Sequence, residues 1–114
     1  MDMEKCLSIC KSLNWEVDEY DNHDFELSQY SPAGEDFSFG FNAKNAREFV
    51  DTVKYESAYF NQDEHVYDML KAKENGLEGV PSIRELLDDA KAIDDMLREL
   101  ACALQKAEDE EGIV

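Results

Sequence analysis

Basic side chains are scarce in this chain: 11 lysines and arginines stand against 28 aspartates and glutamates, a formal net charge of −17. A surface of that sign repels the phosphates of nucleic acid and the headgroups of an anionic membrane, so neither is expected as a direct partner. Glycine is sparse as well. The five residues at 34, 40, 76, 79 and 112 are scattered and form no loop that could wrap a phosphate. The three cysteines, Cys6, Cys10 and Cys102, include no CxxC pair and no Cys/His cluster, and are expected as buried, reduced thiols. Of the two histidines, His23 lies in a charged turn and His65 follows Asp63 and Glu64, and neither has a nucleophile elbow or triad around it. No apolar run approaches the roughly 18 residues of a membrane span. Asp2 and Glu4 stand where a secretion signal would be basic, which leads to an expected place in the cytoplasm.

These absences point away from an enzyme and from any resident cofactor. Calcium is the one metal to consider, because Asp18, Asp21, Asn22 and Asp24 gather around one turn. An EF-hand loop needs glycine at its sixth position and glutamate at its twelfth, and that pattern fails here, so no metal site is expected. Carboxylates are plentiful, but acid–base chemistry needs one of them raised in an apolar pocket, which spacing cannot supply.

What the chain does have is hydrophobic periodicity. Its 43% apolar and 11% aromatic content exceeds that of a disordered acidic chain, and 114 residues suffice for one domain. We expect that domain at residues 1–107, with a frayed acidic tail at 108–114. Met3, Cys6, Leu7, Cys10 and Leu13 predict an opening helix that Asn14 ends. The period then changes to two. Trp15 and Val17, then Phe25 and Leu27, then Phe37, Phe39 and Phe41 alternate with polar residues, with turns at 21–24 and 31–34. Helical spacing returns with Ala46, Phe49, Val50 and Val53, and again after an Asn61/Glu64 cap with Val66, Met69 and Leu70.

The final stretch, from Pro81 through a Ser82/Glu85 capping box to Leu104, places apolar residues at 83, 86, 90, 93, 97, 100 and 104. The expected fold is α+β: an N-terminal helix, a three-stranded antiparallel meander, two helices and a long C-terminal amphipathic helix.

Two acidic surfaces follow from these periods. Glu16, Asp18, Glu26 and Asp36 share the polar face of the meander, with Asp21, Asp24 and Glu35 at its ends. Glu85, Asp88, Asp89, Asp94, Asp95 and Glu99 recur along the last helix, away from its apolar stripe. Carboxylates repeating every few ångströms on a rigid scaffold offer a lattice of the same order as duplex phosphates, which lie about 3.4 Å apart along each strand. These thirteen residues are the expected contact surface for a basic protein.

The segments Tyr30–Phe37 (YSPAGEDF), Asp63-Glu64-His65 and Val80–Ala90 (VPSIRELLDDA) resemble a group of small acidic proteins encoded by phages and other mobile elements of Gram-positive bacteria, a resemblance that covers most of residues 15–104. The resemblance implies a setting, the bacterial host cell, where such proteins are often antirestriction or anti-CRISPR inhibitors that occupy a nuclease's DNA channel. It assigns no role to any residue. With a Cas9-like target, the vulnerable surface would be where arginines read the PAM.

The expected function is that of a non-enzymatic inhibitor mimicking the charge of DNA on the basic surface of a host-defence nuclease, and a monomer is favoured over a dimer. The alternative is an interaction module whose 83–104 helical seam pairs with another helix.

Overall fold

The computed structural model describes residues 1–31, 36–74 and 83–112. The second turn beyond Ser31, Glu35, the connection at 76–80 and the Pro81/Ser82 helix start lie outside the described residues. The elements are α1 (Met3–Ser12), β1 (Glu16–Tyr20), a 3₁₀ turn (Asp21–His23), β2 (Asp24–Tyr30), β3 (Asp36–Asn42), α2 (Ala46–Tyr59), α3 (Gln62–Glu74) and α4 (Ile83–Glu111). The architecture is α+β, in the order that the periodicities predict.

Local chemistry sets the boundaries. The Asp2 carboxylate accepts from the Lys5 amide at 2.9 Å and caps α1. At the other end Asn14 adopts a left-handed conformation (φ 70°). Its amide donates to the Lys11 carbonyl and the Trp15 amide donates to the Cys10 carbonyl. This paired closure of a helix end turns the chain into β1 with Trp15 already buried. The 3₁₀ turn has positive φ at Asn22 and His23. It is held from β3, where the Asn42 side chain donates to the Asn22 carbonyl at 2.7 Å and to Asp24 at 2.9 Å. Asn45 and Asn61 cap α2 and α3 by accepting from the amides of Glu48 and Glu64.

The three strands form an antiparallel sheet in sequence order with β2 in the middle. Its inner face carries Val17, Phe25, Leu27, Phe37, Phe39 and Phe41. Phe25 and Leu27 on the central strand are buried against Cys6 and Cys10 of α1, Phe49, Val50 and Val53 of α2, and Ile93, Leu97, Leu100 and Leu104 of α4. Phe49 meets both Phe25 and Phe41 edge-on, at 5.5 and 5.1 Å between centroids. A smaller cluster of Val66, Leu86 and Ala90, flanked by Met69 and Leu70, joins α3 to α4.

Leu86, Ala90, Ile93, Leu97, Leu100 and Leu104 are each no more than 2% exposed, so the seam is occupied by the chain's own core. One expectation needs correction, and the tail at 108–114 takes a form that can be described as far as Gly112: α4 continues through Glu111. Arg47 pairs with Glu108 at 2.7 Å, and the amino group of Met1 donates to the Gly112 carbonyl. Cys102 is exposed, and only Cys6 and Cys10 are buried. Burial pushes their thiols up to about 11 and 12, so both stay protonated at neutral pH and serve as small core side chains.

Candidate functional site

Alternation along each strand and the register between strands together bring the acidic residues of the sheet onto one face. Opposite each other, across β1, β2 and β3, stand Tyr20, Asp24 and Asn42; then Asp18, Glu26 and Gly40; then Glu16, Ser28 and Ser38; and finally Tyr30 beside Asp36 on β2 and β3. Five carboxylates thus cover an area about 20 Å long, from the rise per residue, and about 10 Å wide, from the strand spacing. Tyr20 and Tyr30 frame it at opposite ends, 57% and 69% exposed. Asp21 extends it into the 3₁₀ turn, where the side chain is exposed.

The strands that build this face supply no lysine or arginine. Residues 12–43 contain neither lysine nor arginine but hold Glu16, Asp18, Glu19, Asp21, Asp24, Glu26, Glu35 and Asp36. Among the described residues Glu16, Asp18, Glu26 and Asp36 enter no ion pair, and Asp24 accepts only from the Asn42 amide group. Asp18 and Glu26 lie directly opposite each other across β1 and β2. Like charges in that position destabilise a sheet, so the fold carries a cost here with no internal return.

The helix carboxylates behave differently. Glu85, Asp88, Asp95 and Glu99 are exposed on α4, but Arg84, Lys91, Arg98 and Lys106 are exposed on the same helix, so that surface is of mixed sign. Asp94 is a structural tie, accepting from Gln62 at 2.9 Å where α3 begins and from Arg98 at 3.5 Å. Asp89, expected on the outer stripe, is buried. Its side chain is 1% exposed, one oxygen 3.4 Å from His65 Nε2 and the other without a partner among the described residues. Three helices, α1, α2 and α3, pack on α4, so the buried arc is wider than a one-sided stripe, and Asp89 falls under α3.

For a buried ion pair the desolvation penalty can exceed the Coulombic gain, and here one oxygen is unsatisfied and the contact is long. Asp89→Asn is therefore expected to raise stability by about 1 kcal/mol, a few degrees in thermal melting. A lower melting temperature would show that the pair with His65 contributes net stability.

A recess on the sheet face, about 60 Å³ between Asn14, Glu16, Ser28, Gln29, Tyr30 and Asp36, is far below the roughly 300 Å³ at which small-molecule sites begin. Among the described residues no three His, Cys, Asp or Glu side chains converge as metal ligands, and no helix is long and apolar enough to cross a membrane. The arrangement can attract and align cationic side chains, with two tyrosines able to stack on guanidinium planes. Reading the strands by charge alone missed those tyrosines; the cation-free interval 12–43 was the signal in the sequence that marked this face.

No protein-family model, curated protein or solved structure matches the chain.

Proposed function

We propose that the protein is a non-enzymatic inhibitor that occupies the basic DNA-binding surface of a host-defence nuclease in a bacterial cell, Cas9-like or of the restriction type. The observation that carries this reading is the outer sheet face, where Glu16, Asp18, Asp24, Glu26 and Asp36 gather between exposed Tyr20 and Tyr30 on strands that hold no lysine or arginine. A groove built for phosphates presents arginines and lysines, whose attraction to such a face speeds encounter and fixes orientation. The sheet, rather than α4, is the contact surface in this reading, because the charges of α4 are mixed and two of its carboxylates are engaged inside the fold. The resemblance to small acidic proteins of mobile elements supplies the setting.

The test is capture of a purified Cas9–guide complex, and separately of a restriction nuclease, on immobilised protein at about 50 and 200 mM salt. DNA-like contacts lose affinity steeply over that range, by roughly 10³-fold where six or so charges are engaged. Binding that falls by at least tenfold and is displaced by target DNA is the expected result. Absence of binding to both nucleases, or binding indifferent to salt and DNA, would sink the proposal.

A further inference from the structure

Where α2 ends and α3 begins, the chain turns through Phe60 and Asn61, and the turn opens a cleft of about 220 Å³ walled by Glu56, Tyr59, Phe60, Glu64, His65 and Asp68. Like the sheet face it combines rings with carboxylates, but here they line a recess on the helices rather than an open strand surface. Tyr59 is 71% exposed and its ring lies 4.5 Å from that of Tyr55, one helical turn back. Phe60 and His65 stand 5.6 Å apart, and both also contact Phe37 of the sheet, which fixes that wall to the core. No lysine or arginine lines the cleft, and among the described residues Glu56, Glu64 and Asp68 form no ion pair. The positive end of α3 supplies only about half a charge against these three carboxylates. The cleft is left net anionic.

We infer that this cleft is a binding site for a guanidinium group, the side chain of an arginine. The choice among cations follows from the walls. A quaternary ammonium is bound by several rings closing around it as a cage and has no N–H to donate to a carboxylate. An ammonium is a compact, strongly hydrated charge that cannot lie flat on a ring or donate as a planar pair to a carboxylate. A guanidinium is planar, stacks on an aromatic face and donates in pairs to a carboxylate, and the cleft offers both surfaces within one turn of chain. This site lies on the helices and does not depend on the sheet face being a contact surface.

The experiment is titration of the whole protein with N-acetyl-arginine methylamide, followed by ¹H–¹⁵N amide shifts and the His65 ring protons, with N-acetyl-lysine methylamide and sodium chloride at matched ionic strength as controls. Saturable shifts confined to residues 56–68, stronger for the arginine probe than for the lysine probe, are expected. Tyr59→Leu, which leaves every carboxylate in place, should weaken binding about threefold to fivefold. Asp68→Asn, which leaves every ring in place, should weaken it by a similar factor. Unchanged amide positions outside the cleft would confirm that both variants fold. Shifts that follow ionic strength and spread over the sheet face and α4, equal responses to the two probes, or no effect of Tyr59→Leu would each overturn the assignment.

Discussion

Asp18→Lys is expected to move binding and stability in opposite directions. Asp18 faces Glu26 directly across β1 and β2, and both belong to the acidic outer face of the sheet. Placing an ammonium there replaces a like-charge pair by an opposite-charge pair, which should stabilise the sheet by about 0.2–1 kcal/mol. The same change puts a positive charge in the centre of the face that is proposed to meet arginines and lysines. Affinity for the nuclease should fall at least tenfold, about 1.4 kcal/mol, and with Glu26→Lys added at least about 100-fold. Competition binding against labelled target DNA measures the first effect and thermal melting the second. Lost binding by a variant that melts no lower than the parent cannot be ascribed to unfolding. If the double variant competes with DNA as well as the parent does, the sheet face is not the contact surface.

Leu97→Ala is expected to be the most damaging single truncation in α4. Leu97 is 1% exposed and belongs to the main core, between Ile93 and Leu100 on the face of α4 turned inward. Removing its branched end leaves a cavity that close-packed neighbours fill only in part, at a cost of about 2–5 kcal/mol. For a chain of this size that corresponds to a fall of roughly 10–20 °C in melting temperature. The drop should not depend on protein concentration, since the seam is covered from within. A melting temperature that rises with concentration in the parent, and loses that dependence in Leu97→Ala, would place a second copy on this helix instead.

Asp89 and Asp18 show how differently two acidic residues can be legible. Asp18 sits in a strand, where side chains point alternately to opposite faces, so its place beside Glu16 and opposite Val17 follows from order along the chain. Asp89 sits in a helix, where the arc that is buried depends on how many neighbours pack against it. Its sequence position one residue before Ala90 lies at the margin of the apolar stripe. Only the arrival of α3 placed it inside, beside His65.

The tail follows the same logic. A run of like charges such as Glu108 to Glu111 frays when alone, yet here Arg47, distant in sequence, holds Glu108 in a helical turn.

The sequence by itself determined the element order, the two periods and the apolar set that fills the core, because these are properties of neighbours along the chain. It also determined the cation-free interval 12–43, from which a negative sheet surface follows once the strands pair. Tertiary structure alone decided which carboxylates remain outside. It put Asp89 under α3 and tied Asp94 to Gln62, and it set Tyr20 and Tyr30 at opposite ends of one face. It alone also brought Tyr59, His65 and Asp68 around one cleft. The physical reason is that burial and strand register depend on contacts between residues far apart in the chain, and a local pattern constrains those contacts without specifying them.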